Sequence, residues 1–240
     1  MKTNLKNSVY VLALLMTGLF LTSCNTEDPG PLQYGERIFS VSQFNRLEMG
    51  SAFIVQVRQG AEFLVEASGD VRNLDDLAVV KSGSTLTVYY DQHRHANRKH
   101  LTTLYITMPE LEGVNFSGAS ISDIQGFETN EQLSVTLSGA STCKLYPGFN
   151  DVKVNLSGAS KLNVYGIGTN LQAKVSGASE LRAREFHTED ASLDVSGASS
   201  ARVSVSNRLD VIVSGASSVL YTGNPEVYPT VTGGSTLRKE

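Results

Sequence analysis

Leu133-Ser134-Val135-Thr136-Leu137-Ser138-Gly139-Ala140-Ser141-Thr142-Cys143-Lys144-Leu145 carries the pattern that decides the fold. Apolar and polar side chains alternate up to Ser138, the alternation stops over Ser-Gly-Ala-Ser, and it resumes at Cys143. Period-two alternation is a strand with one face on a core, and the interruption is a corner between two strands. The four-residue string starts at Ser117, Ser138, Ser157, Ser176, Ser196 and Ser214, with a worn copy at Thr232-Gly233-Gly234-Ser235. Successive copies lie 21, 19, 19, 20, 18 and 18 residues apart. Such a period marks a chain that coils on itself, each repeat stacking on its neighbours. Strands this far apart are not hairpin partners. The expected fold is therefore all-β: a right-handed parallel β-helix, or β-solenoid, of about 19-residue coils.

Aligning the copies on their first Ser (or Thr) sorts the side chains into columns. Position −1 reads Phe116, Leu137, Leu156, Val175, Val195, Val213 and Val231; position −3 reads Val114, Val135, Val154, Ala173, Leu193, Val211 and Pro229. Positions +5 and +7 are again apolar, and Cys143 stands in the +5 column among Leu162, Leu181, Ala201, Val219 and Leu237. It is expected to act as a small core hydrophobe. Each coil reads as strand, corner, strand and return loop. Gly supplies the corner's backbone angle, Ala is taken as an inward side chain, and the Ser hydroxyls are free to bond neighbouring backbone or the next coil, about 4.8 Å away.

Residues 35–110 are β-rich without the string. Phe53–Val57 with Phe63–Ala67, and Leu77–Lys81 with Thr85–Tyr90, read as two hairpins, and Leu101–Met108 as a further strand. This N-terminal region is expected to cap the solenoid of residues 111–240, because open sheet ends must be covered.

The first residues give an address. Lys2 and Lys6 precede a short apolar run, Val9 to Leu21, which ends in Leu21-Thr22-Ser23-Cys24. Residues 1–23 read as a signal peptide. The last four resemble a bacterial lipobox, which implies a lipid on Cys24 and residues 24–34 as a lipidated tether. Asn25 after that Cys resembles the sorting signal for the outer membrane, and Glu27-Asp28 resembles surface-export signals of Bacteroides-type bacteria. Loss of residues 1–23 removes two Lys and no acid, so the net charge moves from −4 to −6. That argues against general nucleic-acid binding. Cys143 is then the one remaining Cys, which excludes an internal disulfide.

The lipobox, the opening Phe44-Asn45-Arg46-Leu47-Glu48-Met49-Gly50-Ser51-Ala52-Phe53-Ile54-Val55-Gln56-Val57 and the serial Ser-Gly-Ala-Ser coils together resemble the "putative auto-transporter adhesin, head GIN domain" family of Bacteroidetes envelope proteins. The resemblance covers roughly residues 36–236. It implies a β-helical fold and an adhesive role, and brings no catalytic residues to carry over.

Two constellations carry candidate chemistry. His93, His95 and His100 have a spacing that zinc could use, but Arg94, Arg98 and Lys99 beside them would repel a cation, so they are read as a solvated loop. His187 stands alone. On the outward face, position +6 reads Asp123, Lys144, Asn163, Arg182, Arg202, Leu220 and Arg238; position +8 reads Gln125, Tyr146, Tyr165, Arg184, Ser204 and Thr222. Cations suit carboxylates, sulfates or phosphates, and a Tyr ring offers a flat surface to a sugar. Lys144, Tyr146, Tyr165, Arg182 and Arg202 are the candidate ligand-binding residues, for an anionic glycan or surface polymer.

Three function classes are in play. An adhesion or ligand-binding envelope lipoprotein fits best; a structural or self-assembling component is the alternative. A polysaccharide-active enzyme would need two carboxylates about 5–9.5 Å apart on one face. Asp123, Glu180, Asp194 and Asp210 fall in different columns and coils, so no catalytic set, metal or cofactor is expected. The expected partners are a membrane, through the lipid anchor, a glycan or envelope protein, and a second copy of the chain.

Overall fold

The structure, a computed structural model, describes residues 28, 30–91 and 98–240. The expected signal peptide, Cys24 and His93 with His95 lie outside the described residues. In chain order the elements are β1 (Tyr34–Phe39), β2 (Arg46–Met49), β3 (Ile54–Gln59), β4 (Leu64–Asp70), the short helix α1 (Val71–Asp75), β5 (Leu77–Ser82), β6 (Thr85–Tyr90), β7 (Thr103–Met108) and β8 (Gly113–Phe116). Then come the long strands β9 (Ile121–Leu137), β10 (Thr142–Leu156), β11 (Lys161–Val175), β12 (Glu180–Val195) and β13 (Ser200–Val213), and the shorter β14 (Ser218–Thr222), β15 (Glu226–Val231) and β16 (Thr236–Lys239).

Together they form a β-solenoid of about six turns. Each long strand pairs in parallel with the strand one coil before and one coil after it. Leu137, Leu156 and Val175 are direct register partners, in a file that runs from Phe116 to Val231. Those files are the core. Cys143 and Leu162 lie side by side in one of them, both fully buried. Fully burying a Leu or Val contributes roughly 1.5–3 kcal/mol relative to leaving it exposed, which is why one repeated apolar file can hold each turn to the next. Phe127, Phe149 and Phe186 fill the opposite bend, the first two with ring centroids 6.3 Å apart. The segment expected to be a return loop is continuous strand, so every coil from β9 to β13 is one bent strand between two corners.

The corner differs from expectation in one respect. Ala119, Ala140 and Ala159 point to solvent, and it is the second Ser of each string that is buried. Ser141 Oγ donates to Ser138 O at 2.8 Å and Ser160 Oγ to Ser157 O at 2.7 Å, so the hydroxyl meets its own bonding need inside the turn. Farther along, Ser179 Oγ accepts the N–H of Ser160, one coil away, at 3.3 Å. Gly at the second position is required twice over. At Gly177 φ is +76°, and a Cβ there would sit 2.5 Å from Gly158 O in the coil below.

The stacked turns reach below the first Ser-Gly-Ala-Ser string. β2 pairs in parallel with β8, and β3 with β9. Between β2 and β3, Gly50-Ser51-Ala52-Phe53 takes the corner's place: Ser117 N–H donates to Met49 O as Ser138 N–H does to Phe116 O. Ser51 and Ala52 accept left-handed angles there, φ 63° and 58°. β6 and β7 lie one level further down, on β2 and β3. Beyond them the direction reverses, with β5 antiparallel to β6, and β4 antiparallel to β7 and to β1. The β5–β6 hairpin is as expected. The expected Phe53–Ala67 hairpin is not formed, because β7 lies between β3 and β4. β3 already has parallel neighbours on both sides, so β4 has only the outer edge of β7 left to it.

Candidate functional site: a basic and aromatic outward face

The half-coils that follow each corner place the candidate residues. Lys144 pairs with Asp123 below and Asn163 above, Asn163 with Arg182, and Arg182 with Arg202, so these five stand in one outward file. Tyr146 and Tyr165 stand beside it, their rings stacked at 4.7 Å between centroids and 12° between planes. Ring stacking fixes two otherwise mobile side chains into one flat, half-exposed surface.

The +8 file is broken at the next coil. β12 bulges, Tyr165 pairs with Glu185 instead of Arg184, and both of those side chains turn outward. Asn163, Tyr165, Arg182, Arg184, Glu185 and Arg202 line a notch of about 210 Å³. Lys144 and Tyr146 lie outside its lining. The five candidates therefore share a face, but only three of them share a pocket.

Ion pairing divides the cations. Arg182 Nε lies 2.6 Å from Glu180 Oε1, and Lys161 Nζ 3.2 Å from Glu180 Oε2. Burial works against the charged form of Glu180, but hydrogen bonds from Arg182 and Lys161 outweigh it and hold the carboxyl below its usual range. Asp123 is held by Arg58 at 2.9 Å, and Arg184 meets Glu240 at 3.1 Å. Among the described residues no carboxylate lies within ion-pair distance of Lys144 or Arg202. Of the candidate residues those two are the cations left for a ligand, and Arg238, farther along the same file, is a third without a carboxylate partner among the described residues. Glu180 stands two residues from Arg182 on one strand, a spacing that puts both on the same face and makes this carboxylate the ligand's competitor for Arg182.

The other candidates resolve differently. Arg98 pairs with Asp76 at 3.0 Å and covers the Tyr90 ring at 3.6 Å, and Lys99 meets Asp28 at 3.3 Å. His100 O accepts from Asn73 Nδ2 at 2.8 Å. His187 Nδ1 lies 2.9 Å from Ser204 Oγ. Asp194 and Asp210 stand in separate columns on neighbouring strands, as expected, and line one groove. Arg208 grips Asp210 through two bonds of 2.7 and 2.9 Å and lowers its pKa, the opposite of what a general acid needs.

A family profile described as "Putative auto-transporter adhesin, head GIN domain" matches residues 43–225. The chain belongs to that family. Among solved structures, a "putative adhesin" from Bacteroides fragilis NCTC 9343 is similar over 87% of this chain and 97% of its own, with a TM-score of 0.75 and 16% identity. A "putative adhesin" from Parabacteroides distasonis ATCC 8503 is similar over 88% and 98%, with a TM-score of 0.73 and 14% identity. A third, from the same P. distasonis strain and titled "putative lipid binding protein", covers 86% and 96% at a TM-score of 0.66 and 15% identity. At such identities the likeness is one of fold. No curated protein matches the chain.

Proposed function

We propose that this GIN-domain protein is a non-catalytic adhesion module of the cell envelope, anchored to the outer membrane by a lipid on Cys24. Its ligand is an anionic glycan or surface polymer, held by Lys144, Tyr146, Tyr165, Arg182 and Arg202. The observation that carries this is the file in which Lys144 and Arg202 stand without carboxylate partners beside two stacked Tyr rings. A chain of net charge −4 that leaves cations unneutralised on one face has a local preference for anions. The family description and two of the similar structures, both putative adhesins, support an adhesive role.

A glycan array carrying sulfated and uronic-acid chains tests it. The protein is expected to bind acidic members, more weakly at higher salt because exposed pairs are screened. Lys144→Ala with Arg202→Ala should weaken binding about tenfold or more, since each charge-assisted bond is worth about 1.5–3 kcal/mol. Arg182→Ala should matter less, its guanidinium being shared with Glu180. Binding unchanged in the double variant discards the proposal.

A further inference from the structure

The half-coils that lead into the corners present a different outward face. Lys153, Gln172, Ser192, Asp210 and Tyr228 form one file, each pairing with the next across β10, β11, β12, β13 and β15. A parallel file beside it contains Lys174, Asp194 and Ile212. Together they line an open groove of about 700 Å³, against about 210 Å³ for the basic notch. Five strands spaced about 4.8 Å apart make a path roughly 19 Å long.

Three properties of this groove bear on its occupant. Its charges cancel, Lys153 and Lys174 against Asp194 and Asp210, so it selects neither anions nor cations. Its floor keeps its polar groups available: the side chains of Lys153, Gln172, Lys174 and Asp194 bond to no other described residue. Lys174 and Asp194 are register partners on adjacent strands and still do not pair. Its end wall is fixed in advance. Arg208, outside the lining, grips Asp210 and lies 4.4 Å from the centre of the Tyr228 ring, which remains 44% exposed.

We propose that this groove is a second glycan-binding cleft, separate from the basic face, which takes a linear uncharged oligosaccharide. Neutral sugars offer pairs of adjacent hydroxyls, which amide, carboxylate and ammonium groups satisfy by donating and accepting together. Their C–H faces pack on an aromatic ring such as Tyr228. An open groove crossing five coils suits a chain that enters at one end and leaves at the other. An extended peptide is disfavoured, since peptides join β-structure at a strand edge through backbone bonds, and here the ladder already uses the backbone. A lipid tail would find one large exposed aliphatic side chain in the lining files, Ile212.

The test is calorimetric titration of the whole protein with cellohexaose, xylohexaose, mannohexaose, maltohexaose and chitohexaose. At least one is expected to bind, with an affinity that changes little with salt. Tyr228→Ala should weaken that affinity about tenfold, while Tyr228→Phe keeps most of it. Gln172→Ala should weaken it too, and Arg202→Ala on the other face should leave it unchanged. Unaltered circular dichroism shows that the variants fold. The proposal is overturned if no member of the panel binds, or if binding survives both Tyr228→Ala and Gln172→Ala.

Discussion

Cys143 shows how position, not residue type, sets chemistry. Its side chain lies in a file shared with Leu162, Leu181 and Ala201, and is fully buried. Burial pushes its thiol up to about 12, because a thiolate there would have neither water nor a cation for company. In the native state it should therefore react with a soluble disulfide reagent at pH 8 about a thousandfold more slowly than in the unfolded chain. Rapid labelling of the folded protein would refute this. The same shift has a stability consequence of definite sign. The folded value lies above the unfolded one, so the neutral thiol's contribution is complete below about pH 9 and is lost as pH rises toward 12. The column alignment made this residue legible in the sequence, since the +5 positions of the later coils are Leu, Val and Ala; Ser122, buried below it in the same file, shows that a small polar side chain is also tolerated there. The corner was less legible. Ser and Ala are both small enough for a turn, and which of them is buried depends on whether Oγ can bond a carbonyl three residues back, a matter of turn geometry.

At the scale of elements, α1 is the one helix in the described residues, and Asp70 starts it. Its Oδ1 accepts from Arg72 N at 3.0 Å and from Arg72 Nε at 2.7 Å, while Oδ2 accepts from Gln33 N at 3.3 Å. One carboxylate thus caps the helix, binds its own first turn and ties down the chain before β1. The hydrogen bonds from Arg72 hold this buried carboxyl far below its usual range. A depressed folded pKa stabilises fully above the unfolded value near 3.8, and that stabilisation is lost as pH falls below it. Urea midpoints should therefore drop between pH 6 and pH 3 in the native protein, and drop less in Asp70→Asn, which begins about 1–3 kcal/mol less stable at pH 6. Parallel pH profiles for the two proteins would refute the assignment. Here sequence patterning reaches its limit. Alternation identified β3 and β4 as strands, but the four residues between them favoured a hairpin, and only the long-range contacts of β7 decide otherwise. Gly50-Ser51-Ala52-Phe53 is not legible as a corner for a related reason. With Phe53 in place of Ser and no second copy at the same period, nothing local separates it from an ordinary turn. The basic file was legible because +6 keeps register, whereas the break in +8 at the β12 bulge was not, and the second groove arises from the shape of a face whose residues share no type.

For the molecule as a whole, a stack of identical turns has to end somewhere without recruiting more turns. The two ends are built differently. One closes with antiparallel strands, β5 on β6 and β4 on β7 with β1 beyond it, and α1 packs alongside β1. At the other end β15 and β16 stay parallel to the coils below them. Their inward residues are less covered than those beneath, with Val231 44% exposed above fully buried Val213. That surface would accept another strand, and Pro229 stands in the middle of it. Thr232 N–H donates to Val213 O, so alternation directs the N–H groups of Thr230 and Tyr228 toward β13 as well. Position 229 faces outward, where Pro supplies no donor and its ring obstructs an incoming backbone. Arg238 and Lys239 place like charges along β16, which repels a second copy of the same edge. Pro229→Val restores the missing outward donor and places a β-branched side chain in the file above Val211. In sedimentation velocity at matched concentrations the variant should form larger species than the native protein, increasingly so as concentration rises. Identical profiles across that range would mean that Pro229 does not guard the edge, and that something other than strand chemistry terminates the stack.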